Sequence, residues 1–154
     1  MFDDLRDLYQ EVILDHGRKP RNFRRLDDPD RTARGDNPMC GDRIELFLKL
    51  GADGGIADVA FQGRGCAIST ASASLLTELV KGKTAAQAHA LADGFRQLAM
   101  TGTCPACEAA LADDMERLQP LSGVHEFPSR VKCATLAWHT LNAALDGSKE
   151  TSSE

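Results

Sequence analysis

Cys40, Asp42, Cys66 and Cys133 are the residues in this chain whose types could do metal and sulfur chemistry. Thiolate sulfur and carboxylate oxygen are both metal ligands, and three of the first with one of the second suit a tetrahedral divalent ion, with zinc the first choice. A carboxylate is the harder, weaker partner for such an ion, so Asp42 is expected to be the ligand that swings off. A bound metal keeps thiols deprotonated and out of disulfides. A thiolate released from it is a ready nucleophile. Cys40 sits beside Gly41, which leaves the approach open, and it is the candidate sulfur carrier. On spacing alone, buried core cysteines explain the same residues equally well. The odd count of five cysteines does not fit a secreted disulfide framework.

The elements that must position these residues follow from periodicity. Residues 43–50 alternate, with Ile44, Leu46, Leu48 and Leu50 on one face, which predicts a strand. Asp53-Gly54-Gly55 is a turn signal. Ile56 to Gln62 predicts a second strand, with Ala57, Val59 and Phe61 sharing a face. Strand one leads away from residues 40–42 and strand two returns to 63–66. The open ends of a hairpin are neighbours, so Cys40, Asp42 and Cys66 can converge. Cys133 must be brought in by the opening turn of a C-terminal helix, marked after Pro128 by Val131, Ala134, Trp138, Leu141 and Leu145.

The remaining pattern is mostly helical. Leu5, Leu8, Tyr9, Val12 and Ile13 make an apolar stripe over 4–15, closed by Gly17 and Pro20. Residues 17–39 read as a long irregular loop. Small residues from Ser69 to Ser74, then Leu75, Leu76, Leu79 and Val80, predict a helix to about Lys81. Thr84 to Gln87 has the form of a capping box before Ala88, Leu91, Phe95 and Leu98. A further helix is expected over 105–118. The whole reads as α+β, a small antiparallel sheet packed against several helices. One domain is expected over 1–146, with a disordered polar tail over 147–154.

Composition narrows the function classes. The net charge of −5 argues against nucleic-acid binding. No apolar run approaches membrane-spanning length, and the acidic start is unlike a signal peptide, so a cytoplasmic setting is the default. Arg18, Lys19, Arg21, Arg24 and Arg25 cluster, and read equally as a solvated loop or as a docking patch for an acidic partner. Cys104 and Cys107 have redox-motif spacing but no second pair. They read first as incidental thiols, then as an oxidisable disulfide, and last as a sulfur relay. His16 reads as a partly cationic residue at a helix C-terminus. His89, His125 and His139 read as surface or packing residues.

Three motifs carry a resemblance. Leu8-Tyr9-Gln10-Glu11-Val12-Ile13-Leu14-Asp15-His16 with Pro20-Arg21-Asn22, and Asn37-Pro38-Met39-Cys40-Gly41-Asp42-Arg43, resemble the opening of the SufU branch of the IscU/NifU-N family. Phe61 to Ser69 with Ala71 to Ser74, and Phe127 to Trp138, resemble its second and third motifs. The matches run in order from about residue 8 to 140. Lys132 stands where IscU-type scaffolds carry a histidine, and a longer stretch precedes Cys133; both resemble SufU. The resemblance implies a SufE/NifU-like, IscU-like fold and a zinc-bound sulfurtransferase that takes persulfide sulfur from a SufS-type cysteine desulfurase onto Cys40. It implies Cys133 as the fourth ligand and Arg130 as an activity-linked residue. A downstream iron–sulfur assembly scaffold would receive the sulfur. The alternative is that this chain is itself the scaffold, holding an iron–sulfur cluster through the same ligands.

Overall fold

The computed structural model describes residues 2–38, 41–104, 112–147 and 150–152. Its centre is an antiparallel sheet of β1 (Arg31–Asn37), β2 (Asp42–Leu50) and β3 (Ile56–Arg64), extended by a short β4 (Glu150–Ser152) in the order β3-β2-β1-β4. The helices are α1 (Phe2–Arg18), α2 (Ala67–Val80), α3 (Ala85–Thr101), α4 (Ala112–Leu118) and α5 (Pro128–Leu145), with a 3-10 segment over Gln119–Glu126. The fold is α+β.

The alternation in β2 works as expected. Ile44, Leu46 and Leu48 are buried in the main core with Val59 and Phe61 of β3. Two details differ from the pattern. Phe47, on the opposite face, is also buried, under Leu26 and beside Ala60, with the Arg25 guanidinium 5.3 Å from its ring centre. Ala57 is exposed, and Ile56 takes the core position instead. The ladder skips from Lys49↔Asp58 to Leu50↔Ile56. Ala57 is thus the extra residue of a bulge, which exchanges the faces of the residues beyond it.

The stretch 17–39 is not one irregular loop, because β1 lies inside it and pairs with β2 from Arg31↔Leu48 to Asn37↔Asp42. The strand hides from pattern reading because its inward residues are Ala33, Gly35 and Asn37. Helix α5 packs on this strand. A Cβ on Gly35 would collide with the Thr140 hydroxyl. Within the expected disordered tail, Glu150–Ser152 instead pair in parallel with Arg34–Asp36. They engage backbone groups that an edge strand would otherwise leave open. The first helix runs past Gly17 to Arg18. Met1, residues 105–111 of the expected 105–118 helix, and the side chains of Leu5, Leu8 and Tyr9 lie outside the description.

Packing of α5 against α2 and α3 completes the core. Trp138 is 2% exposed and stacks on Phe95 at 5.1 Å. Its indole N–H donates to Ser72 Oγ, which itself donates to the Ala134 carbonyl. Small serines and alanines on α2 allow that approach, and the hydroxyl satisfies polar groups that would otherwise be buried bare. The capping box forms as its sequence predicts, with Thr84 Oγ1 accepting from Gln87 N–H and Gln87 Oε1 accepting from Thr84 N–H. Among the described residues, no helix is long and apolar enough to cross a membrane.

Candidate metal centre

Three elements end at one place. Asp42 opens β2, Cys66 is the N-cap of α2 just past β3, and Cys133 lies in the second turn of α5. One ligand atom from each lies within 4.8 Å of the other two. Asp42 and Cys133 are buried, and Cys66 is partly buried. Hairpin closure does the work: Arg43 pairs with Arg64, which puts the start of β2 beside the end of β3. The Cys66 backbone N–H then donates to Asp42 Oδ1 at 3.0 Å, and Cys66 Sγ lies 3.9 Å from Asp42 Oδ2. As N-cap, Cys66 Sγ also accepts the Ser69 N–H at 3.5 Å.

Gly65 makes the spacing possible. A Cβ there would stand 2.6 Å from Asp42 Oδ1, inside any real contact. On the far side, Cys133 Sγ receives an N–H from Asn37 Nδ2 at 3.7 Å and lies 3.6 Å from the Ser129 carbonyl. A cavity of about 300 Å³ at the Asp42 side is lined by Asp36, Asn37, Pro38, Gly41, Asp42, Arg43 and Arg64.

The donor set fits a metal ion. Bond lengths of about 2.0–2.3 Å to a tetrahedral zinc place neighbouring donors about 3.5–3.8 Å apart. Donors within 4.8 Å reach that by shifts of about an ångström or less. Two buried side-chain atoms without a hydrogen-bond partner among the described residues, Asn37 Oδ1 and Ser69 Oγ, belong to the residues that touch Cys133 and Cys66. Buried polar groups of that kind are uncommon and mark places where something other than packing is served.

Of the residues singled out from sequence, the structure brings Asp42, Cys66 and Cys133 together. Cys40 lies outside the described residues. Its loop is held at both ends, by the Asn37↔Asp42 pairing and by the Gly41 N–H donating to the Asn37 carbonyl at 2.9 Å. Arg130 is exposed in the first turn of α5, one turn before Cys133. Asn37 and Gly65 were missed as site residues. Their signal lies in the motifs, where Asn37 opens the stretch that holds Cys40 and Asp42 and Gly65 directly precedes Cys66.

Other expectations resolve differently. His16 is not a cationic cap. It is 7% exposed, shares a hydrogen bond with Ser74 Oγ at 2.7 Å, and burial holds its pKa below the ordinary value. The basic cluster is largely matched within the chain, by Arg21 on Asp15, Arg24 on Asp58 and Arg25 on Glu45. Cys104 is disulfide-bonded, so it is not an incidental free thiol. Cys107 is likewise outside the description.

Comparison with known proteins agrees with this geometry. Residues 8–134 match the model of the NifU-like N-terminal domain. A Streptococcus pyogenes protein named iron–sulfur cluster assembly scaffold protein IscU is 40% identical, over 92% of this chain and 84% of its own. A Bacillus subtilis protein named zinc-dependent sulfurtransferase SufU is 41% identical over 92% of both. A crystal structure of a candidate iron–sulfur cluster assembly scaffold for the SUF system, from Fervidobacterium islandicum AW-1, is 31% identical. It superposes with a TM-score of 0.76, covering 88% of this chain and 94% of that one. By the family match and these full-length similarities, the chain belongs to the NifU-like N-terminal domain family, in company with SufU and IscU.

Proposed function

We propose that this protein is a zinc-dependent sulfur acceptor for iron–sulfur cluster assembly, with Cys40, Asp42, Cys66 and Cys133 as ligands and Cys40 as the carrier. The observation that supports it is the convergence of Asp42, Cys66 and Cys133 within 4.8 Å. A mixed thiolate–carboxylate set holds a metal without closing the site, unlike an all-cysteine structural site. Zinc, when bound, keeps the thiols ionised and unoxidised. Cys66 and Cys133 act as anchors, while the Asp42 carboxylate is the exchangeable donor. The loop carrying Cys40 lies two residues before Asp42, so its thiol is within chain reach of the same point.

The sulfur step balances without an oxidant. The Cys40 thiolate attacks the outer sulfur of a persulfide on the donor. A new S–S bond forms on Cys40, the donor's S–S bond breaks, and the donor cysteine leaves as its thiolate. A SufS-type cysteine desulfurase is the donor this chemistry calls for, and an assembly scaffold the recipient. Arg130, exposed one turn before Cys133 on α5, would guide the incoming anionic group.

The test loads the protein with zinc and incubates it with a cysteine desulfurase and cysteine. Intact mass and peptide mapping should find one added sulfur on Cys40, and cysteine turnover should rise. Cys40→Ala should abolish both; persistence of either rejects the assignment. Arg130→Ala should lower sulfur loading while leaving the melting temperature unchanged.

A scaffold role is the second reading, supported by the relative named IscU. Lys132, just before Cys133, weighs against it, because an ammonium group has no lone pair to offer a metal. Anaerobic reconstitution separates the two. A cluster that displaces zinc and passes to an apo-protein would favour the scaffold.

A further inference from the structure

We propose that Asn37 is a positioning residue of this centre: its side-chain amide donates an N–H to the Cys133 sulfur and fixes that thiolate as an anchoring ligand. The inference rests on the metal reading above and adds a residue to it.

Asn37 is wholly buried at the end of β1, directly across from Asp42. Its Nδ2 is 3.7 Å from Cys133 Sγ, and its Oδ1 has no hydrogen-bond partner among the described residues. An amide buried with one end unpartnered is destabilising against a satisfied or apolar alternative. Fold stability therefore does not account for asparagine here.

The surroundings of Cys133 Sγ say what the amide does. The Ser129 carbonyl, 3.6 Å away, is an acceptor and engages only a protonated thiol. A metal-bound sulfur carries no proton, and beside a carbonyl oxygen it meets only repulsion. The Asn37 N–H, by contrast, is a donor and suits a thiolate. Residues of this kind behind metal ligands fix ligand orientation and tune donor strength. The backbone of the same residue accepts the Gly41 N–H and so closes the loop that carries Cys40. One residue thereby sets both the anchor and the root of the carrier arm.

The test compares Asn37→Leu, close in size but without polar atoms, with Asn37→Asp, close in shape but without the N–H. Asn37→Ser is the fallback if either fails to fold. Zinc affinity is read by competition with a chromogenic chelator, the cobalt(II)-loaded protein by its thiolate-to-metal charge-transfer band, and the metal-free fold by thermal melting. Zinc binding should weaken by about 10–100-fold. The charge-transfer band should move to longer wavelength, since a sulfur freed of its N–H donor gives up charge more readily. The metal-free Asn37→Leu protein should melt at or above the wild-type temperature. A folded variant that keeps wild-type zinc affinity and an unmoved band overturns the proposal. Absence of any thiolate–cobalt band in the wild type overturns the metal reading itself, and this one with it.

Discussion

Gly65→Ala isolates how the centre gets its spacing. The added Cβ would stand 2.6 Å from Asp42 Oδ1 and 3.0 Å from its Cγ, where ordinary contact begins at 3.4 Å. The carboxylate must retreat by about 0.8 Å. Oδ1 is the acceptor for the Cys66 N–H at 3.0 Å, and a retreat of that size takes the bond out of hydrogen-bonding range. A hydrogen bond to a charged group contributes about 1.5–3 kcal/mol, so its loss should weaken metal binding by roughly 10–150-fold. Gly65 is not among the glycines with a left-handed φ, so backbone strain does not confuse the result. Chelator competition measures the affinity. Melting of the metal-free protein should fall by about 2–4 °C for each kcal/mol lost at this chain length. Gly123→Ala is the control, since nothing lies within 4 Å of its added Cβ. Wild-type affinity and melting in Gly65→Ala would refute the idea that close backbone approach sets the donor spacing.

Gly35→Ala should destabilise by about 1–3 kcal/mol through overpacking against Thr140. Adding Thr140→Ala should recover part of that loss, which a double-mutant cycle in denaturant would show as a non-additive term. Ser72→Ala should cost about 1–3 kcal/mol, because it strips the Trp138 N–H of its buried acceptor; chemical denaturation measures it. Stability should also fall on acidification through His16. Burial holds its folded-state pKa below the ordinary 6.5, helped by Arg21 and opposed by Glu78 and Asp15. Below about pH 6.5 the unfolded chain therefore binds the proton more readily than the folded one, and folding loses free energy as pH drops. His16→Gln should flatten that part of the profile of stability against pH; an unchanged slope would count against it.

Side-chain type and local period determined much of this protein without a structure. The hairpin of β2 and β3, the capped α3 and the Trp138 stripe of α5 are strong local patterns, and the hairpin alone implies that Asp42 and Cys66 meet. Pattern reading failed where neighbours, not local preference, chose the residue. β1 is a strand whose inward residues are Ala33, Gly35 and Asn37, and at Gly35 the α5 residue Thr140 leaves no room for a side chain. Ile56 rather than Ala57 faces the core because a bulge shifts the register against β2. His16 has its pKa lowered because it is buried against α2 rather than exposed at a helix end. The ligand types at the centre were legible in the sequence. The arrival of Cys133 beside them and its amide partner Asn37 were decided by the packing of α5 onto the sheet, and the need for a bare Gly65 by the close approach of the Asp42 carboxylate. Distances between segments far apart in the chain come from tertiary packing, which local periodicity does not encode.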